Sequence, residues 1–243
     1  MEQQTIVLTN TSKSLAYWKL LKPRLSMLVA FSCAFGFLLS IKGEINWLNL
    51  GVITLGGFLL SGASVTINQI LERAEDALMD RTMKRPIPLQ ILSAKSAAIF
   101  ASVCLFVSIL LLAWGSNLLT VLLSIISMIL YSFVYTPLKK VGPIAVFVGA
   151  IPGALPPLLG WVANTGRVSY ESLVIFGIQF IWQFPHFWAI AWVADDDYRK
   201  AGFKLLPSGG GKDHNTAIQI MTYTLFLLPL GLLPAWIGLT GIN

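Results

Sequence analysis

The stretch LGVITLGGFLLSGASVTINQILERAEDALMDRTMKRPIP, residues 50–88, decides the fold. Its first eighteen residues, 50–67, carry no charge. The rest then holds four acids, Glu72, Glu75, Asp76 and Asp80, and four bases, Arg73, Arg81, Lys84 and Arg85. A helix on the surface of a soluble protein keeps an apolar stripe and a charged face along its whole length. Here the charges arrive together, after a run close to the roughly 20 apolar residues that cross a bilayer. The segment reads as a membrane span emerging into water.

Six more runs of this kind flank it, giving spans at 25–41, 50–68, 92–114, 117–136, 143–163, 172–193 and 217–240. The chain is 56% hydrophobic and 12% charged, about half the charge of a soluble domain. Strands are excluded, because lipid-exposed backbone must close its hydrogen bonds within a helix or a barrel, and the two-residue alternation of a barrel is missing. The expected fold is an all-α, polytopic membrane bundle forming one domain over 1–243, with residues 1–23 as a cytoplasmic N-terminal segment. No removable signal peptide is evident at the start. Cys33 and Cys104 fall mid-span, where packing is their expected role. Prolines 152, 156 and 157 are expected to interrupt span five.

The net charge of +6 raises nucleic acid as a partner, but its placement excludes that reading. Fifteen of the seventeen bases lie before span one or in the alternate loops that follow spans two, four and six; only Lys42 and Arg167 lie on the other side. Positive loops stay cytoplasmic, so the N-terminus and both long loops, about 69–91 and 194–216, are expected inside.

Those two loops carry the chemistry. Asn68, Glu72, Asp76 and Asp80 recur every four residues, so the first three share one helix face. Like charges held together suit a hard cation such as Mg²⁺, usually shared with substrate phosphates. On this reading, replacing Asp76 relieves repulsion. The plainer alternative is a solvated helix end whose acids pair with Arg73, Arg81 and Lys84. The second loop repeats the theme with Asp195, Asp196 and Asp197, followed by Arg199, Lys200 and Lys204. Two acid clusters on one side, each trailed by bases, look like halves of one site: acids for Mg²⁺, bases for diphosphate oxygens. SGGG at 208–211 lacks the Lys-Ser/Thr pair of a phosphate loop and reads as a turn. His186 sits about two turns before the second cluster among Trp182, Phe184, Phe187 and Trp188. An intramembrane histidine marks function by default, and among flat aromatics it suits a porphyrin; the alternative is a hydrogen bond to a neighbouring helix.

Residues 68–88, YTPLKKVGPIAVFVGAIPGALPPLLGW (135–161) and QFPHFWAIAWVADDDYRKAGFKLLP (183–207) resemble the UbiA superfamily of intramembrane prenyltransferases, and within it the haem-directed branch. The Asn-x-x-x-Asp/Glu-x-x-x-Asp core is common to the superfamily. MxRTxxRP, FPHFW and DYRxAGxxxLP are specific to that branch. The resemblance runs from about Lys22 to the end. It implies nine helices around a cavity, of which seven are recognised here, so the last two are expected to be missing. It also implies Mg²⁺, with farnesyl diphosphate and haem B as substrates, and a haem A synthase as a protein partner. Carried over, Asn68, Glu72, Asp76 and Asp197 are metal-binding and catalytic, while Arg81, Arg85, Lys139 and Lys204 bind diphosphate. Glu72 departs from the Asp of many relatives, and Ala194 from the Asp that opens the second motif in quinone-type relatives, leaving open whether Asp195 or Asp196 assists Asp197. The competing readings are an aromatic prenyltransferase making a quinone precursor, which would not need His186, and a cation channel or transporter. Against a channel, spans one, three, four and five hold no acid at mid-depth.

Overall fold

The computed structural model describes residues 12–208 and 211–241, and among these it is helical without strands. Helices α1 (Lys13–Leu20) and α2 (Pro23–Leu39) meet at a 44° bend. There follow α3 (Trp47–Leu71), the short α4 (Arg73–Asp76), α5 (Ala94–Gly115) and α6 (Leu118–Leu138). The second half contains α7 (Ile144–Thr165), α8 (Tyr170–Val193), the short α9 (Asp195–Lys200) and α10 (His214–Trp236). Six of these are long and apolar enough to cross a membrane, and the bent α1–α2 pair makes a seventh. α2 alone has 17 residues, about 25 Å of helix, short of a roughly 30 Å hydrocarbon layer. All seven runs of the sequence are therefore helices. The expected N-terminal segment is partly absorbed into the first of them: Ala16 and Leu20 are fully buried against Ile87, Leu92 and Ala97. Residues 1–11 of that segment, and Gly209 and Gly210 of the SGGG turn, lie outside the described residues.

Five of the spans start where the sequence offers a side-chain cap. Asn46, Ser93, Asn117, Ser169 and Asp213 accept first-turn amide hydrogens of α3, α5, α6, α8 and α10. Donors at helix ends would otherwise be unsatisfied near lipid.

The most buried span is α7, and its prolines do not interrupt it, contrary to the expectation from sequence. Pro157 has no N–H for the carbonyl of Gly153, one turn back. Gln183 of α8 replaces it, donating from Nε2 to that carbonyl at 2.9 Å. On its other side α7 touches the α2 backbone: a β-carbon on Gly36 would stand 1.9 Å from the Pro157 carbonyl oxygen, and one on Gly160 1.8 Å from that of Cys33. Only glycine permits that approach. Within α6, residues Leu130–Tyr135 widen into a π-helical turn, a feature common near functional sites. It leads directly to Thr136 and Lys139, which face the acidic loop.

Candidate active site

α3 ends at Leu71, but its hydrogen bonding continues. The amide of Glu72 donates to Asn68 O at 2.9 Å, and that of Asp76 to Glu72 O at 2.7 Å. The four-residue beat therefore holds through Asp76, and Asn68, Glu72 and Asp76 are all buried. Asp80 leaves the beat after the chain turns at Ala77, and it is exposed. The acids do not stand unpaired. Arg85 Nη1 donates to both oxygens of Asp76, at 2.7 and 2.6 Å, and Thr82 Oγ1 donates to the Asp76 carbonyl at 2.8 Å. Lys139, from the end of α6, donates to Glu72 Oε2 at 3.0 Å and lies 2.7 Å from Oε1. Further out, Lys140 pairs with Glu75. The partners are thus Arg85, Lys139 and Lys140, not the Arg73, Arg81 and Lys84 that proximity in sequence suggests. Asn68 Nδ2 donates to Thr136 Oγ1 at 3.0 Å, which ties the acidic helix to the end of the π turn.

The two long loops meet directly. Asp197 accepts the backbone amides of Asp80 and Arg81 through its two oxygens, each at 3.1 Å. Lys200 bridges Asp80 at 2.6 Å and Asp197 at 3.0 Å. The Arg81 guanidinium lies 5.7 Å from the centre of the Tyr198 ring. Beneath them Met79 packs with Ala201 and Phe203, and the Lys204 amide donates to the Lys139 carbonyl at 2.9 Å. The hydrogen bond from Lys200, then those from the Arg81 and Asp80 amides, holds the Asp197 carboxyl below the usual carboxylate range. Asp195 pairs with Arg199 in its own helix, and Asp196 with Lys212; neither ion pair involves the first loop.

His186 lies apart from the acid–base cluster. It is exposed and stacked on Trp182, with ring centres 4.4 Å apart and planes at 16°. Its link to the cluster is indirect. Phe187, 6.0 Å away, meets Tyr135 at 5.8 Å, and the Lys139 ammonium lies 4.9 Å from the Tyr135 ring. Sequence reasoning missed Lys22. It counted there only as a basic residue before span one, yet it sits half-buried at the bend between α1 and α2, with left-handed backbone angles. The Lys-Pro step before an apolar run was the available signal for that break.

Among the described residues, no three His, Cys, Asp or Glu side chains converge as a ready metal cage, because the carboxylates are drawn to bases. The donor set still suits a hard cation. Glu72 Oε1 is buried and accepts no aligned hydrogen bond despite the nearby ammonium. Asn68 commits only its amide nitrogen, which leaves Oδ1 as an oxygen ligand of the kind Mg²⁺ takes.

Membrane-length helices, with acids and bases paired beneath two joined loops, define an integral membrane protein. The UbiA prenyltransferase family matches residues 29–242, and the chain belongs to it. It is 52% identical over 228 residues to a protoheme IX farnesyltransferase of Cytophaga hutchinsonii, covering 94% of this chain and 80% of that protein. It is 44% identical to the protoheme IX farnesyltransferase of Flavobacterium johnsoniae, covering 93% and 75%. Among solved structures, a digeranylgeranylglyceryl phosphate synthase superposes with a TM-score of 0.75 at 19% identity, covering 93% of this chain and 79% of that one. A UbiA homologue of Archaeoglobus fulgidus, bound to DMAPP and Mg²⁺, gives 0.70 at 20% identity, covering 88% and 75%. These last two share the fold.

Proposed function

We propose that this protein transfers the farnesyl group of farnesyl diphosphate to a vinyl group of haem B, with addition of water, giving haem O and diphosphate. What carries the reading is the buried meeting of Glu72 and Asp76 with Lys139 and Arg85, in a chain 52% identical to a protoheme IX farnesyltransferase. Asn68, Glu72 and Asp76 would hold Mg²⁺, with Asp197 as the acid of the second loop. The metal would supply Lewis-acid stabilisation of the departing diphosphate. Arg85 and Lys139, released from their carboxylates, would take phosphate oxygens, with Arg81 and Lys204 at the rim.

The allylic C–O bond breaks as its electrons pass to diphosphate, and the basic residues stabilise the charge that develops there. The vinyl π electrons then form the new C–C bond to the farnesyl carbon. The cation left beside the porphyrin ring takes water and loses a proton, which leaves the hydroxyl. Tyr135, Phe187 and Phe203 would keep water from the allylic centre, and His186, stacked on Trp182, would contact the haem. Loop charge supports a cytoplasmic site and N-terminus. Nothing in the described residues supports the expectation of a haem A synthase partner.

The test is incubation of the protein in lipid with haem B, farnesyl diphosphate and Mg²⁺, with the haems resolved by mass. A farnesyl-plus-water mass increase that disappears on chelation is the expected result. Prenylation of 4-hydroxybenzoate, with haem B untouched, would move the chain to the quinone-precursor class.

A further inference from the structure

Asn68 on α3 and Thr136, just after the π-helical turn of α6, are both almost completely buried. Asn68 Nδ2 donates to Thr136 Oγ1 at 3.0 Å, and that hydroxyl donates in turn to the Tyr131 carbonyl, also at 3.0 Å. A hydroxyl has one hydrogen and two lone pairs. With its hydrogen given to Tyr131, Thr136 can only accept from Asn68. The carboxamide must therefore turn its NH₂ end to Thr136, which leaves Oδ1 on the other side. The hydrogen-bond network decides which way a carboxamide points. The direction matters here, because the oxygen can ligate a hard cation and the NH₂ group cannot.

The π turn is what takes up the hydroxyl hydrogen. Inside the other helices Thr54, Ser64, Thr66 and Thr165 donate to the carbonyl four residues back, the ordinary habit of helical hydroxyls. Thr136 instead reaches five residues back, the spacing of a π turn. One turn earlier Ser132 Oγ meets the Ser64 carbonyl at 3.5 Å, so α3 and α6 keep the same register over a full turn. A carboxylate at position 68 could bind Thr136 only by taking the hydrogen from Tyr131. That accounts for a neutral residue at the head of the acidic run.

We infer that Thr136 is a positioning residue: its hydroxyl, committed to the Tyr131 carbonyl of the π turn, orients the Asn68 carboxamide so that the oxygen is the end left for a cation. The inference rests on the reading of Asn68 as a metal ligand given above, and names what sets the orientation of that ligand.

The experiment is titration of the full chain in lipid nanodiscs with Mn²⁺, a hard cation read by electron paramagnetic resonance, with and without inorganic diphosphate. Thr136→Val keeps the shape but offers neither lone pair nor hydrogen. Its Mn²⁺ affinity should fall about tenfold or more, the usual effect of losing the partner that orients a metal ligand. Thr136→Ser, which keeps the hydroxyl, should retain most of the affinity. In an Asn68→Ala background, Thr136→Val should cause no further loss, because no carboxamide remains to be oriented. Undiminished affinity in a folded Thr136→Val protein, or a second loss of equal size in the double variant, would overturn the role of Thr136. Should Thr136→Val not fold, the wild-type chain labelled with ¹⁵N-asparagine decides. The Asn68 carboxamide hydrogens should exchange with deuterium far more slowly than those of the exposed Asn215, and exchange as fast as at Asn215 would remove the hydrogen bond and the inference. A wild-type protein that binds no Mn²⁺ under either condition would overturn the metal reading itself, and this inference with it.

Discussion

The Asp76–Arg85 and Glu72–Lys139 pairs and the Asp80–Lys200–Asp197 bridge all join acids to bases at the same end of the bundle, but at different depths. Side-chain exposure is 1% for Asp76 and 7% for Glu72, against 76% for Asp80 and 43% for Lys200. Below the surface, each charge depends on its partner. Removing one member of a buried pair typically costs about 3–5 kcal/mol, because the other is left uncompensated. At the surface, water replaces a lost partner and an ion pair is worth about 0–1 kcal/mol. The inner pairs are therefore the place where substrate could exchange partners with the protein, because metal and polyanion together can compensate both members. The outer bridge serves to join the loops.

The largest effect should come from Asp76→Ala. Product formation should fall at least about a thousandfold if the residue serves the metal at the leaving group. The protein should also lose about 3 kcal/mol or more of stability, because Arg85 is stranded. This reverses the expectation that Asp76 stands among like charges and that its removal brings relief. Denaturation in detergent measures the second effect, and an unchanged melting curve would refute the pairing. A smaller effect is expected for Glu72→Gln combined with Lys139→Met. Each alone should destabilise, and the double variant should recover part of the loss, with a coupling of about 1–3 kcal/mol in a double-mutant cycle. Additive losses would mean that depth does not couple this pair.

Sequence made the helices legible because seven long apolar runs admit few arrangements, and it made Asn68, Glu72 and Asp76 legible because four-residue spacing needs only local helix geometry. Partners far apart in the chain were not legible. Glu72 and Lys139 are 67 residues apart, and the residues that cap Asp197 lie 116 and 117 away. Such pairings follow from how the spans pack. The continuity of α7 was hidden for the same reason, since Gln183 lies 30 residues from the carbonyl it satisfies. Lys22 was obscured by its surroundings: among several bases ahead of a span, it resembled loop charge that fixes orientation, and only the left-handed turn separates it from them.

The smallest expected effect belongs to the outer bridge. Lys200→Met should leave stability close to that of wild type, since its side chain is well exposed and solvent screens the pair. Asp197→Ala should cost more, because it also uncaps two backbone amides. The pH dependence follows from sign. Asp197 is held below its ordinary range by Lys200 and the two amides. Its contribution is therefore present above the unfolded carboxyl value, about 3.9, and is lost as pH falls through the lower folded value. Lys200 is raised by Asp80 and then Asp197, so its share persists below the ordinary lysine range and is lost only above it. Between these limits the bridge should be indifferent to pH. Protection of the Asp80 and Arg81 amides from hydrogen exchange should accordingly hold from pH 5 to 9 and fall in Asp197→Ala, while Lys200→Met retains most of it. If Lys200→Met abolished protection as completely as Asp197→Ala, the ammonium rather than the two capped amides would be joining the loops, and the distinction between depths would fail at its outer end.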